Sequence, residues 1–240
     1  MKKLPAQPVS GLMDGLEVLR ELTISASPVS CKHISEKLGF ELTRVNRILK
    51  TLDYMGLACR GPSRRYLPGP GIHVLAIQSM IGSGLLKRAL PVLEELRKYK
   101  LTIALGVLWR DSVSYLYHND LSRFNAYDAI GRLAVHPAGA SSIGIALLSE
   151  LEDSEIRQIY EGQEIAQPIG SLESLFKEIY KSRENGFSSI MNAKGNLSLA
   201  VKLGNPAYAG IALSGIASDE DITKYIKILN ESVDKIGAVK

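Results

Sequence analysis

The sequence predicts an α+β fold in two parts, and three observations lead to this prediction. Apolar side chains recur at helical spacing within residues 12–54, and two short strand-like runs follow at residues 57–60 and 64–67. The segment PGPG at residues 68–71 then interrupts the pattern. Beyond residue 85, helix and strand patterns alternate, which indicates a second domain that contains a sheet.

Three helices are predicted in the first part. Four leucines at helical spacing indicate the first helix: Leu12, Leu16, Leu19 and Leu22. The second helix is predicted to begin after Ser30, a favourable N-cap, and to end at Gly39, which favours a left-handed C′ position. The third covers residues 43–54, and its aliphatic stripe consists of Val45, Ile48, Leu49 and Leu52.

A hairpin is predicted directly after the third helix. Its two strand-like runs flank Gly61, Pro62 and Ser63, which are common turn residues. The order helix, helix, turn, helix, hairpin is that of a winged helix-turn-helix. Residues 1–70 are therefore predicted to form a winged helix-turn-helix domain.

A linker helix is predicted at residues 71–84, ending in Gly82, Ser83 and Gly84. The second domain, residues 85–240, begins with a leucine-rich helix that contains Pro91, where we expect a kink or a new start. Its strands are predicted at residues 101–109, 112–118, 196–203 and 208–216. Its further helices are predicted at residues 141–151, 171–185 and 222–236.

Positive charge is concentrated in the first third of the chain. Residues 1–80 hold 11 Lys or Arg against 6 Asp or Glu, whereas residues 81–240 hold 18 against 19. This asymmetry is expected when one domain meets a polyanion and the other does not. A chance excess of cations on a solvated surface is the alternative.

Composition excludes several other classes of protein. The longest charge-free segments are broken by Pro, Gly, Ser or Asn, so no membrane span is expected. The N-terminal MKKLPAQPVSG lacks the apolar segment of a secretory signal, and we expect a cytoplasmic protein. With 2 cysteines and 4 scattered histidines, the sequence predicts neither disulfides nor a metal site, and no cofactor is expected.

The polar face of the third helix is suited to the DNA major groove. Arg44, Asn46 and Arg47 are the predicted base readers, because Arg can donate two hydrogen bonds to guanine and Asn can pair similarly with adenine. Thr43 and Lys50 are predicted to contact phosphates. A merely solvated cationic face remains the alternative.

The hairpin adds a second basic element. Arg60, Arg64 and Arg65 lie close to its turn, as a wing needs in order to reach adjacent phosphates or the minor groove. An RNA-binding module would need exposed aromatic residues for stacking, and this region offers only Tyr54 and Tyr66. Double-stranded DNA is therefore the favoured partner.

A pattern of residues around the third helix resembles a known family. It comprises Lys37, Leu38 and Gly39, then Thr43, Val45, Arg47, Leu49, Thr51 and Leu52, then Gly56 and Leu57, and finally RYLPGP at residues 65–70. With these residues, the segment 30–76 resembles the DNA-binding domain of the IclR family of bacterial and archaeal transcription regulators. A weaker similarity continues through residues 88–96, 137–148 and 195–216. The resemblance implies double-stranded operator DNA as a partner and adds Thr51 to the predicted DNA-binding residues.

The resemblance also implies that the second domain is a GAF-like α/β domain with a mostly antiparallel sheet that binds a small-molecule effector. Its residues here would be Gly139, Ala140 and Ser141 in a loop before a helix, with Ser198 and Ser214 on strands. Free N–H groups at a helix start favour an anion, so a carboxylate is one candidate. The alternatives are that Ser141 only caps its helix and that the two strand serines only satisfy neighbours.

Three positions depart from the family pattern near this site. Gly139 stands where the family usually has His, Ile145 where it has Lys, and Ser198 where it has Cys. The charge of the ligand therefore stays open, and an apolar or empty pocket is an alternative.

Together these features predict a sequence-specific DNA-binding transcription regulator whose operator affinity is modulated by a small-molecule effector. The sequence contains no nucleophile elbow, P-loop or dinucleotide fingerprint, so we do not expect an enzyme. A GAF-like enzyme or metabolite-binding protein with a basic accessory domain is the alternative. Because one recognition helix covers few base pairs, we expect an oligomer, and the family resemblance implies a homodimer or homotetramer.

Overall fold

The computed structural model describes residues 6–25, 27–119, 136–191, 195–217 and 222–238. The chain divides into two compact units, Lys2–Leu85 and Leu86–Lys240. The first contains helices and a two-stranded sheet, and the second contains a six-stranded sheet with helices packed against it. This is the α+β architecture that the sequence predicts.

The first unit has the element order of a winged helix. Its elements are α1 Ser10–Ile24, α2 Cys31–Leu38, α3 Leu42–Tyr54, β1 Ala58–Arg60, β2 Tyr66–Pro68 and α4 Pro70–Ser83. The Ser30 hydroxyl accepts a hydrogen bond of 3.1 Å from the His33 N–H and so caps α2. Gly39 ends α2 with a φ of 67°, which is the predicted left-handed C′ conformation.

Helices α1, α2 and α3 pack around one small apolar core. Its buried residues are Val18, Leu22, Val29, Ile34, Val45, Leu49, Leu52, Ala58 and Tyr66. The stripe predicted for α3 is therefore confirmed at Val45, Leu49 and Leu52. The leucine stripe of α1 is only half buried in this unit, because Leu12 is 61% and Leu16 52% exposed.

The PGPG segment joins the wing to the end of α3 by close backbone contact. The N–H groups of Gly69 and Gly71 donate hydrogen bonds of 2.9 Å to the carbonyls of Leu57 and Gly56. A Cβ at residue 69 would lie 2.3 Å from the Gly56 carbonyl oxygen, and one at residue 71 would lie 2.8 Å from it. Only glycine fits at these two positions. Helix α4 follows with none of its residues buried.

The second unit is built on one antiparallel sheet. Its strands are β3 Thr102–Trp109, β4 Ser112–Asn119, β5 His136–Pro137, β6 Phe187–Met191, β7 Leu197–Leu203 and β8 Ala209–Ile216. They lie in the order β5-β4-β3-β8-β7-β6, and each neighbouring pair is antiparallel. The helices are α5 Leu85–Leu96, α6 Ser142–Leu148, α7 Asp153–Ile159, α8 Leu172–Asn185 and α9 Ile222–Ala238.

Helix α6 lies in the core of this unit. Small side chains on the sheet, Ala104, Ala200 and Ala212, belong to the same buried cluster as α6, α7 and α8. Alternate residues along the strands, including Leu199 and Leu213, are fully buried and point to the other side. Helix α9 also packs on β7 and β8, and its Lys235 contacts Glu95 of α5 at 2.8 Å.

Some elements differ from the sequence-based predictions. Helix α5 continues through Pro91 as one element, so of the two alternatives predicted at this residue, a kink or a new start, the new start is not observed. Helix α7 and strand β6 were not predicted individually. They have seven and five residues, which is too short for a helical or strand period to stand out.

Candidate functional site

The outward face of α3 carries the predicted DNA-binding side chains. All six are exposed: Thr43, Arg44, Asn46, Arg47, Lys50 and Thr51. The buried stripe of the same helix holds this face in place from behind. The structure thus brings the predicted polar set onto one solvent-facing surface.

The six residues occupy different parts of that face. Because successive residues are rotated by about 100°, Thr43, Arg47 and Lys50 lie opposite the buried stripe. Arg44 and Thr51 lie on the flank towards α1, where with Arg47 they border a groove of about 490 Å³. The Thr51 hydroxyl donates a hydrogen bond of 2.9 Å to the Arg47 carbonyl.

Arg44 is held by two contacts within the first unit. Its guanidinium forms an ion pair with Asp14 of α1 and lies 5.6 Å from the centre of the Phe40 ring. The Arg44 side chain is nevertheless 48% exposed, whereas Asp14 is only 15% exposed. Sequence patterns did not predict this pair, because it depends on how α1 packs against α3 across 30 residues of sequence.

The wing is a short hairpin with its arginines in three different settings. Strands β1 and β2 are antiparallel with Arg60 opposite Tyr66. Arg64 lies at the tip, where its φ of 59° is left-handed. Arg65 directs one guanidinium N–H to the Pro28 carbonyl at 3.4 Å, towards the segment before α2. All three arginines are exposed, but the structure does not gather them into one cluster.

A carboxylate ties the wing to α3. Asp53, in the last turn of α3, accepts a hydrogen bond of 3.1 Å from the backbone N–H of Arg60. The Gly61 N–H donates to the Arg65 carbonyl at 2.7 Å and closes the hairpin turn. The position of the wing relative to the polar face of α3 is therefore defined by hydrogen bonds.

In the second unit, the predicted effector loop forms a single 3₁₀ turn, Ala138–Ala140. Gly139 is buried and Ala140 is half-buried. Ser141 caps α6 by accepting a hydrogen bond of 3.3 Å from the Gly144 N–H, and its hydroxyl lies 3.0 Å from that of Tyr115. Ser141 therefore caps α6 and also contacts Tyr115.

The two strand serines form a hydroxyl chain with a third serine. The Ser198 hydroxyl lies 2.6 Å from that of Ser214 on the neighbouring strand and 2.7 Å from that of Ser142 in α6. Ser188 donates from its hydroxyl to the Ser142 carbonyl at 2.5 Å. The structure brings Ser198 and Ser214 together but links Ser141 to Tyr115 instead. Sequence reasoning missed Ser142, although it stands beside Ser141.

A buried tyrosine lies against the same loop. Tyr160 is 6% exposed, and a Cβ on Gly139 would lie 3.3 Å from its hydroxyl oxygen. Within the described residues, this hydroxyl has no hydrogen-bond partner of normal geometry. Burial raises the pKa of Tyr160 to about 12. No local sequence pattern marks this residue.

The described part of the chain contains no group of three or more His, Cys, Asp or Glu side chains that could hold a metal ion. None of the helices in the same ranges is long and apolar enough to cross a membrane.

Comparisons with known proteins identify relatives of this chain. The family model for the C-terminal domain of the bacterial transcriptional regulator IclR matches residues 77–197, just over half of the chain. No curated protein sequence matches the chain significantly.

Two solved structures with the same fold cover nearly the whole chain, and a third covers about two thirds of it. An IclR family transcriptional regulator from Brucella abortus is 22% identical with a TM-score of 0.75, covering 98% of this chain and 94% of that chain. An IclR homologue from Microbacterium hydrocarbonoxydans, crystallised with 4-hydroxybenzoate, is 18% identical with a TM-score of 0.63, covering 94% and 97%. The C-terminal domain of the Escherichia coli regulator KdgR is 27% identical with a TM-score of 0.55, covering 64% and 96%. Since this family model matches just over half of the chain, the chain belongs to the IclR family of bacterial transcriptional regulators.

Proposed function

We propose that this regulator binds double-stranded operator DNA through the polar face of α3 and through the wing. The observation that carries the proposal is the division of α3 into a buried aliphatic stripe and an exposed polar face with three cations, Arg44, Arg47 and Lys50. A helix of this width enters the major groove, where guanidinium and amide groups can read base edges. The protein acts by binding rather than by catalysis, in the cytoplasm where its DNA lies.

Each DNA-binding residue has a proposed role. Residues near the start of a recognition helix reach base edges most easily, so Arg44, Asn46 and Arg47 read bases. The remaining residues contact the phosphate backbone: Thr43, Lys50, Thr51, Arg60, Arg64 and Arg65. In this assignment residues 1–70 bind DNA, residues 71–84 form the linker and residues 85–240 bind the effector.

The effector site is proposed at Gly139, Ala140 and Ser141 with Ser198 and Ser214. A serine hydroxyl has one donor and two acceptor positions, so the hydroxyls that bond to each other here can still hydrogen-bond a ligand. The related protein crystallised with 4-hydroxybenzoate supports a small organic ligand, with a carboxylate as one candidate. Binding of this ligand changes the affinity of the first unit for the operator.

The regulator is proposed to act as a homodimer or homotetramer. Large apolar side chains are exposed on two helices of the first unit, Val9, Leu12, Met13 and Leu16 at α1 and Val74, Leu75, Ile77 and Ile81 on α4. A dimer would cover such side chains and would present two copies of α3 to half-sites about 34 Å apart or a multiple of that distance.

The proposal is tested by identifying the DNA that the purified protein retains from its own genome. We expect a small set of retained fragments that share a pseudo-palindrome, with protected half-sites separated by whole helical turns. Retention of fragments in proportion to their length, with no shared sequence, would contradict sequence-specific binding.

A further inference from the structure

The contact between Asp14 and Arg44 links α1 to the proposed DNA-reading face. Asp14 is largely buried between the helices, and its carboxylate forms an ion pair with the Arg44 guanidinium. The Phe40 ring lies on the same guanidinium at 5.6 Å. An arginine on a helix surface is normally free to sample several rotamers, whereas Arg44 has two anchors.

Anchoring leaves Arg44 able to bind DNA. A guanidinium has five N–H donors, and a single carboxylate with two oxygens cannot occupy all of them. The Arg44 side chain is 48% exposed and borders the groove, so it is accessible to DNA. Bidentate reading of a guanine edge requires a fixed, planar pair of donors, which is what an anchored guanidinium supplies.

The Asp14 carboxylate also affects whether Arg44 contacts a phosphate or a base more favourably. A phosphate at Arg44 would approach Asp14 as well, and like charges repel. A guanine edge carries acceptors without a net charge and is not penalised in this way. Asp14 therefore weakens the sequence-independent attraction at this position and leaves the base contact intact.

We propose that Asp14 is a positioning residue that sets sequence specificity by holding Arg44 for base reading and discouraging its contact with phosphates. This inference rests on the proposed DNA binding by α3. It gives α1 a role in recognition although α1 contributes no predicted base-reading side chain of its own.

The test is Asp14→Asn, with affinity measured for the operator and for random DNA of equal length at the same salt concentration. We expect tighter binding to random DNA and a fall of at least about fivefold in the operator-to-random affinity ratio, the lower range of what one good base contact contributes. The double variant Asp14→Asn with Arg44→Ala should have nearly the same operator-to-random affinity ratio as Asp14→Asn alone, because the two side chains act as a unit.

Glu17→Gln is the matched control, because it removes the same charge from α1 but from a carboxylate that pairs with Arg20 in that helix. It should strengthen binding to both DNAs alike and leave the ratio unchanged. Arg44→Lys is the second variant, since it keeps the charge and loses the planar fork. It should lower the ratio as Asp14→Asn does, and an unchanged ratio in Arg44→Lys would overturn the inference even if Asp14→Asn does not fold.

Two failures can be told apart. If the wild type binds operator and random DNA with equal affinity, the proposed sequence-specific DNA binding is overturned, and this inference is overturned with it. The inference about Asp14 alone is overturned if the wild type discriminates between the two DNAs and the folded Asp14→Asn variant discriminates equally well. It is also overturned if Asp14→Asn and Arg44→Ala lower the operator-to-random affinity ratio by independent, additive amounts.

Discussion

Single side chains on α3 differ in what they can contribute to DNA binding. Arg47 lies opposite the buried stripe and near the middle of the polar face, and Lys50 follows about one turn later. A guanidinium can form two hydrogen bonds with one base, whereas an ammonium acts as a point charge. The two cations should therefore respond differently when removed.

We predict that Arg47→Ala costs about 1 to 3 kcal/mol on the operator and relaxes the preference at one base pair. Lys50→Ala should weaken binding to every sequence alike and reduce the salt slope by about 1. Competition assays with operator variants measure both effects. Lys227→Ala in α9 removes the same charge from the other unit and serves as the control. Equal losses on operator and random DNA for both α3 variants would contradict the division of roles.

Burial of the Tyr160 side chain raises the pH at which its hydroxyl loses a proton. An ordinary tyrosine loses its proton near pH 10, but burial raises the pKa of Tyr160 to about 12. Above pH 10 the unfolded chain therefore binds fewer protons than the folded chain, and the free energy of unfolding falls as pH rises. The contribution is complete below pH 10 and is lost between about pH 10 and 12.

We predict that Tyr160→Phe removes this pH dependence. Between pH 9 and 12 the wild type should lose about 2 kcal/mol more of its unfolding free energy than Tyr160→Phe, as measured by urea unfolding. At pH 7 the variant should be nearly neutral, because the hydroxyl has no good partner to lose. Tyr115→Phe, whose hydroxyl bonds to Ser141 at 3.0 Å, should cost about 1 kcal/mol at pH 7. Parallel pH curves for wild type and Tyr160→Phe would contradict this account.

Some features of these residues can be predicted from the sequence and others cannot. Burial of Val45, Leu49 and Leu52 follows from helical periodicity, since the pattern is local to one helix. Asp14 and Tyr160 had no such signal, because the residues that they lie against, Arg44 and Gly139, are distant in sequence. The sequence predicted Ser198 and Ser214 as candidates from the family resemblance, but their mutual hydrogen bond depends on strand register.

Among the structural elements, the PGPG segment has the tightest steric requirement. Gly69 lies so close to the Gly56 carbonyl that any Cβ would require the backbone to move. The segment also supplies N–H donors that bond to the end of α3 and the start of the wing. It therefore fixes where the wing leaves the helix.

We predict that Gly69→Ala destabilises the first unit by about 1 to 3 kcal/mol, the cost of overpacking a closely packed site. Gly82→Ala in α4, where nothing lies within 4 Å of the added methyl group, should instead stabilise by up to about 1 kcal/mol. Thermal or urea unfolding of both variants measures the difference. A neutral Gly69→Ala would show that the wing exit is less constrained than its backbone contacts indicate.

Elements whose ends carry a local sequence signal were predicted from sequence better than the others. The predicted ends of α2 were confirmed because Ser30 and Gly39 act through local backbone geometry. In α5, Pro91 is accommodated within the helix, although proline normally interrupts the hydrogen-bond pattern. Helix α7 has a capping box at Glu152 and Glu155, a signal that could have identified it despite its length.

For the whole molecule, ligand binding to the second unit should be measurable as added stability. We predict that an effector present at 100 times its dissociation constant raises the unfolding free energy by about 2.7 kcal/mol. A thermal-shift screen of small carboxylates, including 4-hydroxybenzoate, measures this effect. Ser198→Ala should reduce the shift, because it removes the central hydroxyl of the serine chain. An equal shift in wild type and variant would contradict the proposed location.

The salt dependence of operator binding tests most directly the claim that the cationic face of α3 and the wing meet a DNA backbone. If a dimer neutralises roughly six to ten phosphates, its operator affinity should fall by roughly 10³ to 10⁵ between 50 and 200 mM salt. That steep decline, measured by fluorescence anisotropy on a fixed operator, is the result we expect. An affinity that stays constant over this range would contradict the account, because a protein that releases no counterions does not bind DNA through its cations.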